Sequence, residues 1–150
     1  MKNLIVSLAV VLSAGFSPVL ANTGDNSDPR AEKKFAQQFA GAQNVKWTRL
    51  DDGYLRVTFI LNGIGAESFF DRDAELLGTV RNLFYSQLPL SVLQSINRKF
   101  GEITIVEVKE ISNGDGTNYK VTFEQKDKKY NVRLTSVGEI VDVQKEKIRK

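Results

Sequence analysis

Apolar and polar residues alternate along Leu55–Phe70, which reads LRVTFILNGIGAESFF. The alternation returns 64 positions later along Tyr119–Leu134, reading YKVTFEQKDKKYNVRL. At that offset Val57, Thr58 and Phe59 fall on Val121, Thr122 and Phe123, and Ala74-Glu75-Leu76 falls on Gly138-Glu139-Ile140. A period of two predicts strands with one buried face. Asn62 and Gly63 both tolerate a positive φ and predict a tight hairpin that pairs Phe59 with Ala66 and Leu55 with Phe70. Asp51-Asp52-Gly53 predicts an earlier turn. It pairs Leu50 with Tyr54 and sets Trp47 opposite Val57 and Val45 opposite Phe59. A type I turn with a bulge at Asp71-Arg72-Asp73-Ala74 lets Asp71 face Glu75 and puts Leu76 opposite Phe70. That geometry demands a left-handed residue at position 74, where alanine is disfavoured; Gly138 holds the matching place in the second copy.

Each set of strands follows a helical pattern. Asp28-Pro29 supplies a cap and a first-turn proline, Ala31, Phe35 and Phe39 form one apolar stripe, and Gly41 ends it. Pro89 opens a second helix with Val92, Leu93, Ile96 and Phe100 on its buried side and Gly101 as its stop. Strands are predicted at Val45–Leu50, Glu75–Arg81, Ile103–Ile111, Tyr119–Glu124, Lys129–Leu134 and Glu139–Val143. SNGDGT (Ser112–Thr117) reads as a longer turn. The fold class is α+β: two tandem α-β-β-β-β units, 29–82 and 89–144, within one domain 29–144. A half of this size is marginal alone. The units are therefore expected to share one antiparallel, curved sheet with both helices on one face. Val57 and Val121 are expected in a common core, with Tyr54 and Arg56 on the uncovered side.

The ends read differently. Residues 1–21 carry Lys2, an apolar run Leu4–Leu12 and the small-residue end Val19-Leu20-Ala21, a secretory signal peptide. Gly15 and Pro18 break the run, and it is too short to span a bilayer, so no integral membrane span is expected after signal removal. Residues 22–28 read as a flexible leader and 145–150 as a charged, frayed tail. Localisation is expected to be periplasmic or secreted. The net charge is +3, or +2 once Lys2 is removed, with both signs interleaved. No basic stripe for nucleic acid lies outside the tail. The chain has no cysteine, so its core stands without disulfides, and no histidine, which removes the commonest general base and metal ligand together.

Several pieces resemble a family of small secreted bacterial proteins, the beta-lactamase-inhibitor-like, PepSY-like family. They are FAGAQNVKW (Phe39–Trp47), DGYLRVTF, FFDRDAELLGTVR and QLP before the second helix, and the resemblance covers roughly 31–143. It implies two αβ₄ units, a concave sheet backed by helices and an envelope or secreted location. Family members favour Pro-Gly-Ala where this chain has Ala40-Gly41-Ala42, and Asp-x-Asp-Gly where it has Asp71-Arg72-Asp73-Ala74.

Candidate chemistry lies on the sheet face turned from the helices. Tyr54, Phe69 and Leu77 form an aromatic–aliphatic group there, with Arg56 directly across from Phe69. In the second unit Lys120 and Arg133 oppose each other, which is unfavourable without a nearby negative charge. Arg and Tyr beside apolar anchors are typical of protein interfaces. These six residues are the expected partner-binding set, and the partner is a protein or peptide of the cell envelope. The predicted function is a non-enzymatic binding module, an inhibitor of or accessory to an envelope enzyme. The alternative is a small-ligand or peptide carrier with a cleft between the units. A third reading pairs Glu67 with Asp71 or Glu75 as catalytic carboxylates. Asp71 and Asp73 supply too few oxygens for calcium and read as an Asx-turn. No cofactor or metal is expected, and Trp47 reads as core.

Overall fold

The computed structural model describes residues 26–148. The predicted signal peptide 1–21, the start of the leader and residues 149–150 lie outside the described residues. Helix α1 (Pro29–Gln38) begins as its sequence dictates. Asp28 is the N-cap and accepts from the Arg30 N–H at 2.8 Å, and Pro29 takes the first turn. The Arg30 guanidinium and then its backbone N–H hold the Asp28 carboxyl down to about 2, against an ordinary 3.8. A depressed carboxylate stabilises the fold above its unfolded pKa, and that contribution is lost as pH falls through the folded one. A ¹³C carboxyl titration of Asp28 is therefore expected to have its midpoint near 2, with the first turn of α1 fraying over the same interval. A midpoint at the ordinary value would remove the cap.

Strands β1 (Gln43–Arg49), β2 (Leu55–Leu61), β3 (Ile64–Phe70) and β4 (Leu76–Asn82) follow α1. The connector from β4 carries a 3₁₀ turn at Tyr85–Gln87 and leads to α2 (Leu90–Phe100). Strands β5 (Thr104–Asn113), β6 (Gly116–Gln125), β7 (Lys128–Thr135) and β8 (Ile140–Lys147) complete the second unit. All eight form one antiparallel, curved sheet in sequence order. Trp47↔Val57, Leu55↔Phe70, Phe59↔Ala66 and Phe70↔Leu76 pair as the turn chemistry requires. Ala74 sits at φ +61 and Gly138 at φ +85, the left-handed position predicted for both.

The two units match in detail. Ala31, Phe35 and Trp47 correspond to Val92, Ile96 and Val108 at an offset of 61, which becomes 64 past the β5–β6 hairpin. That hairpin places 13 positions between paired Val108 and Val121, where Trp47 and Val57 are 10 apart. Both units bulge at the start of their first strand, and both bulge again where the last strand leaves its turn.

Three expectations are corrected. SNGDGT is mostly strand: Ser112 pairs with Thr117 and Asn113 with Gly116, leaving Gly114-Asp115 as the tip. A Ser112–Thr117 hydroxyl contact of 3.2 Å and the Asp115 N–H on Asn113 Oδ1 hold this longer hairpin. Strand β8 runs three residues into the predicted frayed tail, because Lys145, Glu146 and Lys147 pair with Tyr130, Lys129 and Lys128.

The third correction concerns the core. Both helices cover the same face, because the row Val57–Ser68–Thr79–Ser112–Thr117 crosses β2 to β6 on one side. Yet Val57 and Val121 lie in separate apolar clusters. One gathers Ala31, Phe35, Leu55, Val57, Phe59, Phe70 and Ala74 under α1, and the other gathers Val92, Ile96, Val121, Phe123, Val132 and Leu134 under α2. The seam between them is polar. Ser68 and Thr79 share a hydrogen bond of 2.9 Å, and Arg81 pairs with Glu110 at 2.7 Å. The Tyr119 hydroxyl reaches the same Glu110 carboxylate at 3.4 Å. Polar groups satisfied by one another contribute little apolar burial, so this belt joins the halves through backbone hydrogen bonds while dividing the core.

Candidate partner-binding face

The uncovered face is fixed residue by residue by the ladder. Arg56 opposes Phe69, and Phe69 opposes Gly78. One pleat further on, Glu67 opposes Val80 and Val80 opposes Ile111. The next row is Asn82, Lys109, Lys120, Arg133 and Asp142, across β4 to β8. A diagonal therefore runs Arg56, Phe69, Val80, Ile111, Lys120, Arg133, one residue from each of β2 to β7. Four of the six residues predicted from sequence lie on it. The structure adds Val80 and Ile111, which bridge the two units. Sequence reasoning missed them because the β4–β5 register is set by a long connection through α2, with no tight turn to count from.

The other two predicted residues lie off the diagonal, beside its first members. Tyr54 is 38% exposed at the rim, and the Arg72 guanidinium lies 5.9 Å from its ring centroid. The Arg72 Nε donates to the Asp52 carbonyl at 2.8 Å, which fixes that cation over the ring. Leu77 is the extra residue of the β3–β4 bulge, 45% exposed, beside the tip of the β5–β6 hairpin.

Charge along the diagonal is unevenly balanced. Lys109, Lys120 and Arg133 are direct neighbours on adjacent strands. Lys109 is met by Glu107 at 3.1 Å and Arg133 by Asp142 at 3.6 Å. Among the described residues, Lys120 has no carboxylate within ion-pair distance. At the other end the Arg56 Nε is shut from solvent and has no acceptor. Below these groups Thr122 is buried and donates to Asn131 Oδ1 at 2.9 Å.

The carboxylates of the catalytic reading do not converge. Glu67 lies on the open face, paired with Thr58 and Val80, whereas Glu75 is ion-paired to Lys34 of α1 behind the sheet. Asp71 Oδ1 accepts from the N–H groups of Asp73 and Glu75 at 2.9 and 2.8 Å, the Asx-turn geometry. Among the described residues no group of three acidic side chains is arranged to hold a metal ion. Burial raises the pKa of Tyr85 and, with Glu110, that of Tyr119; the Glu110 hydrogen bond raises that of Arg81. All three groups belong to the helix side, where they serve packing.

Two clefts bear on the carrier reading. One of about 270 Å³ lies at the unit boundary, between Gln38, Thr79, Ser112 and Asn113. The larger, about 830 Å³, lies at the far end of the second unit, lined by Glu102, Ile103, Thr104, Glu124, Gln125 and Lys126. The boundary cleft falls below the size usual for small-molecule sites, and the larger one is open to solvent with as much polar as apolar lining, where such sites are enclosed and mostly apolar. Trp47 is in the first core, 5.6 Å from the Phe35 and Phe70 ring centroids.

No protein-family model matches the chain, and no curated protein matches its sequence. Its fold has close counterparts among solved structures. A BLIP-like protein from Bacteroides fragilis is 20% identical with a TM-score of 0.71, over 82% of this chain and 89% of that one. A DUF2874 family protein from Bacteroides ovatus is 18% identical with a TM-score of 0.73, over 81% and 89%. A candidate periplasmic protein from Bacteroides eggerthii is 17% identical with a TM-score of 0.72, over 79% and 88%. The PepSY part of the sequence resemblance rests on the motifs alone. At these identities the likeness is one of architecture: this chain is similar to the BLIP-like and DUF2874 proteins and has a beta-lactamase-inhibitor-like fold.

Proposed function

We propose that the chain is a periplasmic or secreted, non-enzymatic binding module that holds a protein or peptide of the cell envelope on its open sheet face. The observation that carries this reading is the diagonal from Arg56 to Arg133, which joins an apolar centre to cationic ends across both units. Interfaces depend on such anchors more than on total area. The similar structures include one named BLIP-like and one named as a candidate periplasmic protein, which agrees with an inhibitor or accessory of an envelope enzyme. No helix among the described residues is long and apolar enough to cross a membrane.

The test is capture from a native envelope extract with the wild-type protein, the Phe69→Ala variant and a Lys33→Ala control on the exposed side of α1. Phe69→Ala is expected to leave the fold intact and to lower partner affinity by about tenfold or more, as truncation of a central anchor does. Equal recovery by all three proteins would remove the open face as the binding surface.

A further inference from the structure

Resting on the open-face reading, we infer that the partner presents an extended acidic–apolar–acidic segment, whose carboxylates meet Lys120 with Arg133 at one end and Arg56 at the other. Three features of the free protein define this complement. Lys120 lies directly between Lys109 and Arg133 on neighbouring strands, and those two have the carboxylates within reach. Like charges opposed across strands destabilise a sheet, and a bound carboxylate at this point relieves two such contacts together. At the other end, Arg56 is only partly buried and, among the described residues, forms no ion pair. Between the cations, Phe69, Val80 and Ile111 are half-buried on three successive strands.

Glu67 lies next to Val80 on this face and forms no ion pair with Arg56. It thus leaves the Arg56 charge open and repels an acid placed over the centre, which confines the partner's carboxylates to the ends. The ends are five strand spacings apart across the sheet and four residues apart along it. On a flat sheet that is about 28 Å, the reach of about eight extended residues. The apolar centre favours a polypeptide over a uniform polyanion, since a phosphodiester or sulfated chain has nothing to place against Val80 and Ile111.

Two measurements decide the inference. The first needs no partner: Lys120→Met keeps the side-chain stem and removes the charge. It is expected to raise Tm by about 1–4 °C in the free protein. An unchanged or lower Tm would refute the uncompensated charge. The second selects peptides from a random phage-displayed library on the wild-type protein and on Lys120→Glu. Binding is mapped by amide shifts, with a single-stranded oligonucleotide as a second probe.

Wild-type selections are expected to enrich Asp or Glu flanking Leu, Ile or aromatic residues and to move the amides of Val80, Ile111 and Lys120. Their affinity is expected to fall by about tenfold for Lys120→Glu. Peptides that move the Phe69, Val80 and Ile111 amides without acidic bias, or that bind Lys120→Glu equally, would overturn the inference while leaving the open-face reading standing. Peptides that move no open-face amide would overturn both. An oligonucleotide that moves the same amides as tightly as the peptides would overturn the polypeptide assignment.

Discussion

Gly138→Ala is expected to cost about 3–5 kcal/mol of folding stability, with the urea midpoint falling accordingly. The effect has two sources. At φ +85 a Cβ meets the penalty of the left-handed region. The added carbon also falls 2.4 Å from the Ser91 carbonyl oxygen and 2.7 Å from its carbon, both backbone atoms at the start of α2. A flexible side chain can move away, but a helix terminus packed on the core cannot. Ser91 is tied to the same turn through its Oγ, which donates to the Ser136 carbonyl at 3.2 Å. The first unit is the internal control. Ala74 holds the equivalent place at φ +61 and is fully buried with Ala31. Ala74→Gly removes backbone strain but also a packed methyl, about 0.8 kcal/mol, and is expected to change stability by less than about 1 kcal/mol. A Gly138→Ala protein with an unshifted midpoint would show that α2 is not seated on the β7–β8 turn as described.

Phe70→Ala is expected to lose about 3–5 kcal/mol, and to lose it unevenly. Phe70 is fully buried, paired with Leu55 and Leu76, and its ring packs beside that of Trp47. Truncation leaves a cavity in the cluster under α1. The polar belt of Ser68, Thr79, Arg81 and Glu110 separates that cluster from Phe123 and Val121. Hydrogen exchange is therefore expected to accelerate first in α1, β2 and β3, with the amides of α2, β6 and β7 protected for longer. A uniform loss of protection would show that the continuous ladder couples the halves into one cooperative unit, and the division of the core would then have no energetic meaning.

The uneven legibility of this chain has a consistent physical origin. Where two strands are joined by a short turn, the turn residues fix the register and the register fixes the face of every side chain. That is why Trp47 could be placed against Val57, Arg56 against Phe69 and Lys120 against Arg133, and why residue 74 could be assigned a left-handed backbone. The Ser112–Thr117 segment misled because its Gly and Asn content resembles a loop, whereas its hydroxyls continue the ladder of the neighbouring strands. The strand at Lys145–Lys147 was hidden because its alternation is polar on both faces; only its partners on β7 give it a reason to be extended.

Local sequence determined the order of one helix then four strands in each half, the helix starts, the tight-turn registers and the side of the sheet on which each residue emerges. These depend on φ preferences and on apolar period, which act over a few residues. Tertiary structure alone decided how β4 meets β5. That seam set Val80 and Ile111 between Phe69 and Lys120, and it placed Thr79 beside Ser112 and Arg81 beside Glu110 behind them. One interstrand contact thus united the open face and divided the core. Its partners are brought together by a helix and a connector that carry no count of residues from one strand to the other.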